Sequence, residues 1–379
     1  MRIRPRLVAA VVAVAAASTT AGPGADAAAT LVPPGADHAC VVPGGPHPVV
    51  AWSRLHNPVL TLPHAVVKDQ ALVWAGGRWH LLFSYVTDAS PTPNAQRWDI
   101  ATAQSTDLLH WSAPRPWSEQ PGGLASPDVV RAPDGTFVVT YDSPPGENGA
   151  VQAKLFYRTS RDLVQWSRPH ALAPRLYPSP TARMIDPALA WTKDGVMLAY
   201  KVGTTSQQQA FEVARAASGS LSGPWQVVGR PDVSLYGDTV ENYELLTIGG
   251  VWHLVATSNT LDQPWIFTLA GSPDVPADWL HWVDGTQLEV PAEPWNSGAG
   301  ISSVGFEHAN SAFVCQDGGT YYLTYAGSTD LSSYGGWGHA AIGVARSSDL
   351  VHWQVPPGYC LRPCRRVGAR SSSRWPPQP

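Results

Sequence analysis

The chain has 379 residues, only 14% of them charged, with a formal net charge of −4; it carries 34 glycines, 36 prolines and 17 tryptophans against 3 methionines. Many turn formers and aromatics, with few of the long side chains that favour helices, argue for an all-β protein of short strands and against a helical bundle. An acidic balance leaves no electrostatic footprint for nucleic acid.

In chain order, residues 1–27 begin with Arg2, Arg4 and Arg6, continue through an apolar run and end in small residues at Ala25-Asp26-Ala27. That is the pattern of a secretory signal peptide cleaved after Ala27, and the apolar run breaks too early, at Ser18-Thr19-Thr20, to serve as a membrane anchor. The mature protein is therefore expected to be secreted, with residues 28–45 as a linker. The last segment, 359–379, carries Arg362, Arg365, Arg366, Arg370 and Arg374, no acid and no strand pattern, and reads as a basic tail. Without signal and tail the body has a formal charge of −11, which suits a neutral substrate better than a polyanion. Cys40, Cys315, Cys360 and Cys364 fit an exported protein with up to two disulfides, in any of three pairings.

Between these ends, residues 46–358 hold a repeat. "STDLLHWS" (105–112), "SRDLVQWS" (160–167) and "SSDLVHWQ" (347–354) are joined by the looser "SGSLSGPWQ" (218–226) and "SPDVPADWLHWV" (272–283). Each copy follows an apolar run, a Gly-containing turn and a second apolar run, as in "DQALVWAGGRWHLLFSY", which is the signal of a β-hairpin. Five copies spaced 55 to 71 residues apart predict a five-bladed β-propeller. The repeated Asp107, Asp162 and Asp349, with His110 and His352, are expected to shape turns while Trp111, Trp166, Trp225, Trp282 and Trp353 pack between blades. An early strand near "PHPVVAWSRL" (46–55) is expected to pair into the last blade and close the ring.

Chemistry is sought where the five-fold pattern breaks. Counting back from the second run of each hairpin, Asp69 lies ten residues before Trp79, Asp186 ten before Val196, and Glu241 eleven before Trp252. Inner strands converge on the axis, so three blades aim a carboxylate at one funnel. Crowded carboxylates raise one another's pKa, which lets one act as acid and another as base, as glycosidic hydrolysis requires. Glu244 is a rival for the acid.

At these residues the sequence resembles glycoside hydrolase family 43 and the neighbouring arabinanase, xylosidase and arabinofuranosidase group. The likeness spans about His64 to Trp353 and rests on "KDQALVWAGGRWHL", "IDPALAW" and "VENYELLTIGGVWHL". It departs from the family at Gln70, where a proline is usual, and at Asn242-Tyr243, where Gly-Pro is usual. The resemblance implies an inverting enzyme in which Asp69 activates water, Glu241 protonates the leaving oxygen and Asp186 tunes Glu241. It implies no required cofactor, but a calcium ion or a water in the axial channel beside His308. Asn310 and Glu307 are expected to line the funnel, and Trp98, Trp265, Trp295 and Trp337 are candidate stacking platforms for a neutral oligo- or polysaccharide. A monomer that binds neither nucleic acid nor membrane is expected. A fructan-type glycosidase of similar fold and a non-catalytic carbohydrate-binding propeller stand as alternatives.

Overall fold

The computed structural model describes residue 40 and residues 45–88, 96–117, 123–143, 154–177, 182–203, 210–233, 240–258, 262–297, 307–329 and 340–357. The expected signal peptide, most of the linker, Trp337, Cys360, Cys364 and the basic tail lie outside them. Among the described residues no helix is long and apolar enough to cross a membrane. The described part is a five-bladed β-propeller of antiparallel sheets.

The first blade is β1 (Ala65–Ala75), β2 (Arg78–Asp88), β3 (Gln96–Ser105) and β4 (Arg115–Pro116). The second is β5 (Ala125–Arg131), β6 (Phe137–Ser143), β7 (Lys154–Ser160) and β8 (His170–Ala171). The third is β9 (Arg183–Thr192), β10 (Gly195–Gly203), β11 (Ala210–Ala216) and β12 (Gln226–Gly229). The fourth is β13 (Val240–Ile248), β14 (Val251–Ser258), β15 (Pro264–Leu269) and β16 (Trp282–Gln287). The fifth holds β17 (Glu307–Asp317), β18 (Thr320–Ser328) and β19 (Ala341–Ser347). The first strand of each blade is innermost: β1 packs on β5, β5 on β9, β9 on β13, β13 on β17 and β17 back on β1.

Local chemistry accounts for the hairpins. Gly76-Gly77, Gly249-Gly250 and Gly318-Gly319 all have positive φ, the two-residue turn whose twist matches the strands it joins. Apolar side chains from facing blades form the core, and the repeat tryptophans all sit in or against those interblade clusters. In the repeat itself, Ser105 Oγ accepts the N–H groups of Asp107 and Leu108, and Asp107 Oδ1 accepts those of Leu109 and His110. Ser160-Asp162 and Ser347-Asp349 make the same bonds. The bonds hold Leu108, Leu163 and Leu350 at φ of 63°, 60° and 66°. These acids are architectural.

The ring closes through the N-terminal segment, but further along the chain than the expected 46–55. Trp52–Arg54 form a 3-10 turn, and the pairing falls on residues 57–60. The Asn57 side chain brackets Val344, donating from Nδ2 to its carbonyl at 3.0 Å and accepting its N–H at 2.9 Å. Val59 and Leu60 donate to the Ile342 carbonyl, so the amide of Asn57 stands in for a strand partner. A Cys40–Cys315 disulfide adds a second closure, tying a residue assigned to the linker into the core beside β17. Because the bond spans 275 residues of chain, its loss relaxes a long loop in the unfolded state. Cys40→Ser is expected to lower the unfolding free energy by about 2–5 kcal/mol, read by urea denaturation under non-reducing conditions; an unchanged midpoint would place closure on the hydrogen bonds alone.

Candidate functional site

Each innermost strand breaks its register at the same place. The pairing skips two residues at Asp69-Gln70, Ser126-Pro127, Asp186-Pro187, Asn242-Tyr243 and Ser311-Ala312. The first residue of each pair has a left-handed φ, 49° for Asp69, 53° for Ser126, 54° for Asp186, 53° for Asn242 and 53° for Ser311. A non-glycine residue there costs on the order of 1 kcal/mol or more, and such strain persists only where its surroundings enforce it. The enforcement is a closed ring of interblade hydrogen bonds. Ser126 N donates to Ser84 Oγ (2.9 Å), Thr140 Oγ1 to the Pro187 carbonyl (2.8 Å), Asn242 N to Asp186 Oδ2 (3.3 Å), Ser311 N to Thr257 Oγ1 (3.0 Å), and Gln70 Nε2 to the Ser311 carbonyl (2.5 Å).

Asp69 and Asp186 thus occupy equivalent bulges, as the count of ten predicted. Glu241 does not: the fourth bulge residue is Asn242, and Glu241 precedes it. Asn242 joins the other two acids, donating from its backbone to Asp186 and from Nδ2 to Asp69 Oδ1 at 3.2 Å, and the charge of Glu241 acts on Asp186. Asp69 also accepts from Ser311 Oγ at 2.6 Å and Ser84 Oγ at 2.7 Å, with Lys68 Nζ 3.6 Å away. Asp69 and Asp186 are buried, while the Glu241 side chain keeps 26% of its surface exposed. The bulge residues enclose an axial cavity of about 30 Å³, room on the order of one water molecule.

The electrostatics divide these groups. Burial and the negative charge of Glu241 push the Asp186 carboxyl above the usual range. Burial would do the same to Glu241, but Lys201 Nζ lies 2.7 Å from Oε2, and with Lys68 and Arg183 it holds Glu241 below its ordinary value. A fourth carboxyl, Asp142 on β6, is raised well above the ordinary range, by burial first and then by the charge of Asp186. Both Lys201 and Asp142 stand on second strands, opposite the residue before a bulge (Ile185 and Ala125). They are the counterparts of Ser84, opposite Lys68, and of Thr257, opposite Glu241. Sequence reasoning followed first strands only and missed this register. Its signal was available: "TYDS" and "AYKV" each put a charge into an otherwise apolar strand.

The remaining expectations fare unevenly. Glu244 is buried one step past the bulge, where Oε2 accepts Val314 N at 2.7 Å, an interblade tie. Asn310 is buried and donates from Nδ2 to Asp262 Oδ1 at 3.0 Å; its Oδ1 lies beside Ser311 Oγ, whose one proton goes to Asp69. Glu307 begins β17, with its side chain outside the described residues. His308 does not fit a metal ligand: Nδ1 lies 3.0 Å from the Asn296 carbonyl and Nε2 3.0 Å from the Val290 carbonyl, so both nitrogens are taken up by backbone oxygens. Among the described residues no cluster of His, Cys, Asp and Glu is disposed to hold a metal.

Trp98 lies half-buried against Val66, Val86 and Ala340, and Trp265 against the core between the third and fourth blades. Trp295 is a correction. The loop-like "EPWNSGAG" suggested an open platform, but the indole is only 7% exposed, stacks on Tyr325 at 5.6 Å and donates Nε1 to Glu293. It fills the space left by two glycines. A Cβ on Gly343 would lie 2.5 Å from the indole and 2.7 Å from Tyr325. Gly343→Ala is expected to cost about 1–3 kcal/mol of stability through overpacking, measured by denaturant unfolding; a neutral result would mean that the indole has room to move and present a face.

No family model matches the sequence, and no curated protein matches it. Solved structures do resemble it in fold. One titled a glycoside hydrolase shares 14% identity at a TM-score of 0.54, over 84% of this chain and 92% of that one. A thermostable family-43 glycoside hydrolase shares 17% at 0.52, over 83% and 99%. The α-L-arabinofuranosidase of Podospora anserina, solved with cellotriose, shares 13% at 0.51, over 79% and 94%. At such identities the likeness shows the propeller they have in common.

Proposed function

We propose that this chain is a secreted glycoside hydrolase that cleaves arabinofuranosyl or xylosyl linkages in neutral plant cell-wall polysaccharides by an inverting displacement. One observation carries the reading. Carboxylates from two blades stand on strained bulges that line one axial cavity, Asn242 links Asp69 to Asp186, and the charge of Glu241 from a third blade acts on Asp186. Architecture alone has no use for acids at only some of five equivalent positions. Solved structures of the same fold titled family-43 glycoside hydrolase and α-L-arabinofuranosidase support the reaction class. The basic-apolar N-terminus and the Cys40–Cys315 disulfide support export.

Asp69, oriented by three hydrogen-bond donors beside the Lys68 side chain, takes the proton of the attacking water. The leaving oxygen takes a proton from the acids of the third and fourth blades, Asp186 and Glu241. Inversion places acid and base carboxyls about 6.5–9.5 Å apart, with the water between them.

The test is hydrolysis of aryl α-L-arabinofuranoside, aryl β-D-xyloside, arabinan and arabinoxylan by the mature protein, with the product anomer followed by NMR. Activity with inversion is expected, and Asp69→Asn, with its fold checked by circular dichroism, should lower kcat by roughly 10²–10⁴-fold. Sugar binding without hydrolysis of any of the four would contradict the enzyme and point to a binding propeller.

A further inference from the structure

The roles that the family resemblance implies give the proton to Glu241, and the side chains around Glu241 do not suit that task. Its Oε2 is in contact with the Lys201 ammonium, and the Lys68 and Arg183 charges also attract it. Proton release to a sugar requires a carboxyl that holds a proton in the free protein, and a carboxylate clamped by an ammonium at 2.7 Å is stabilised in its ionised form.

At Asp142 and Asp186 the conditions are opposite. Asp142 is 6% exposed, and its Oδ1 is buried with no hydrogen-bond partner. Leaving a charged oxygen in that condition is costly, whereas a neutral carboxyl tolerates it. Asp186, also 6% exposed, receives one long backbone N–H bond from Asn242 and a contribution from Ser126, against the three donors and nearby ammonium of Asp69. The charge of Asp186 acts on Asp142, and Ser126 serves both. Arg183 and Lys201 are the cations facing this pair, Glu241 and Asp69 the anions.

We infer that Asp142 and Asp186 form a carboxyl pair that stores the proton used in cleavage, while Lys201 keeps Glu241 ionised; Asp142 and Lys201 are positioning residues. The use of that proton rests on the glycosidase reading above, although its storage does not. In the reaction Asp186 passes the proton to the glycosidic oxygen as the bond from that oxygen to the anomeric carbon breaks. The water that bonds to the anomeric carbon gives its proton to Asp69, and one proton returns through solvent to the pair. Glu241 remains an anion throughout, placed to stabilise positive charge developing on the sugar ring.

The storage is tested without substrate, by infrared difference spectroscopy of the mature protein at neutral pH against Asp142→Asn, Asp186→Asn and Glu241→Gln. The protonated-carboxyl band is expected to be lost in Asp142→Asn, lost or displaced in Asp186→Asn, and kept, though displaced, in Glu241→Gln. A band removed by Glu241→Gln, or untouched by Asp142→Asn, overturns the inference. Asp142→Ser puts at this position the residue that stands at its first-blade counterpart, Ser84, and serves if the asparagine variant does not fold. With a hydrolysed substrate in hand, the alkaline limb of kcat/KM should move to lower pH by about one unit or more in Asp142→Asn, because activity present below the pair's pKa is lost sooner as pH rises. An unmoved limb would reduce Asp142 to packing, and it would do so without touching the enzyme assignment.

Discussion

The rest of the structure depends on one backbone constraint, the left-handed residue that interrupts every innermost strand. Five such residues at φ near 50° expel one side chain per blade from the pleat, and the ring of interblade bonds holds them there. The chain stores strain around its axis and gains five equivalent positions facing one point. The identities at those positions, Asp69, Ser126, Asp186, Asn242 and Ser311, then divide the labour: two supply acids, and three supply the hydrogen bonds that fix them.

A second circle, on the second strands, sets the charge states. Ser84, Asp142, Lys201 and Thr257 stand opposite the residue before a bulge, and each reaches toward the next blade. Ser84 donates to Asp69 and Thr257 accepts from the Ser311 backbone. Lys201 neutralises Glu241, whereas Asp142 adds negative charge beside Asp186. Two circles of side chains, offset by one strand, turn a symmetric fold into a site with unequal proton affinities.

Much of this was legible in the chain before any coordinates. Tryptophan repeats and Gly-Gly turns report blade number directly, because both are local requirements of a hairpin packed against its neighbour. Asp69 and Asp186 were found by counting, since equal hairpins preserve phase. Asn242 departs from a family motif, although its count of ten before Trp252 equals theirs, and it, rather than Glu241, holds the bulge. Trp295 misled because glycines and serines around a tryptophan look like a loop, when Gly327 and Gly343 are there to make room for the ring. His308 misled because a lone histidine shows its partners only in three dimensions, and here those partners are carbonyls. Charges in the second strands escape a local reading because each acts on a residue at a bulge in the following blade, roughly forty residues away in the chain.

The central claim is that the floor of bulges is where a glycosidic bond is held. The most direct measurement is a crystal structure of Asp69→Asn with an arabino- or xylo-oligosaccharide bound. The account predicts a sugar ring over the axis, its glycosidic oxygen within hydrogen-bond reach of the Asp186 carboxyl and residue 69 on the opposite side of the anomeric carbon. A sugar seated on the outer strands of a blade, with the funnel holding only water, would contradict it.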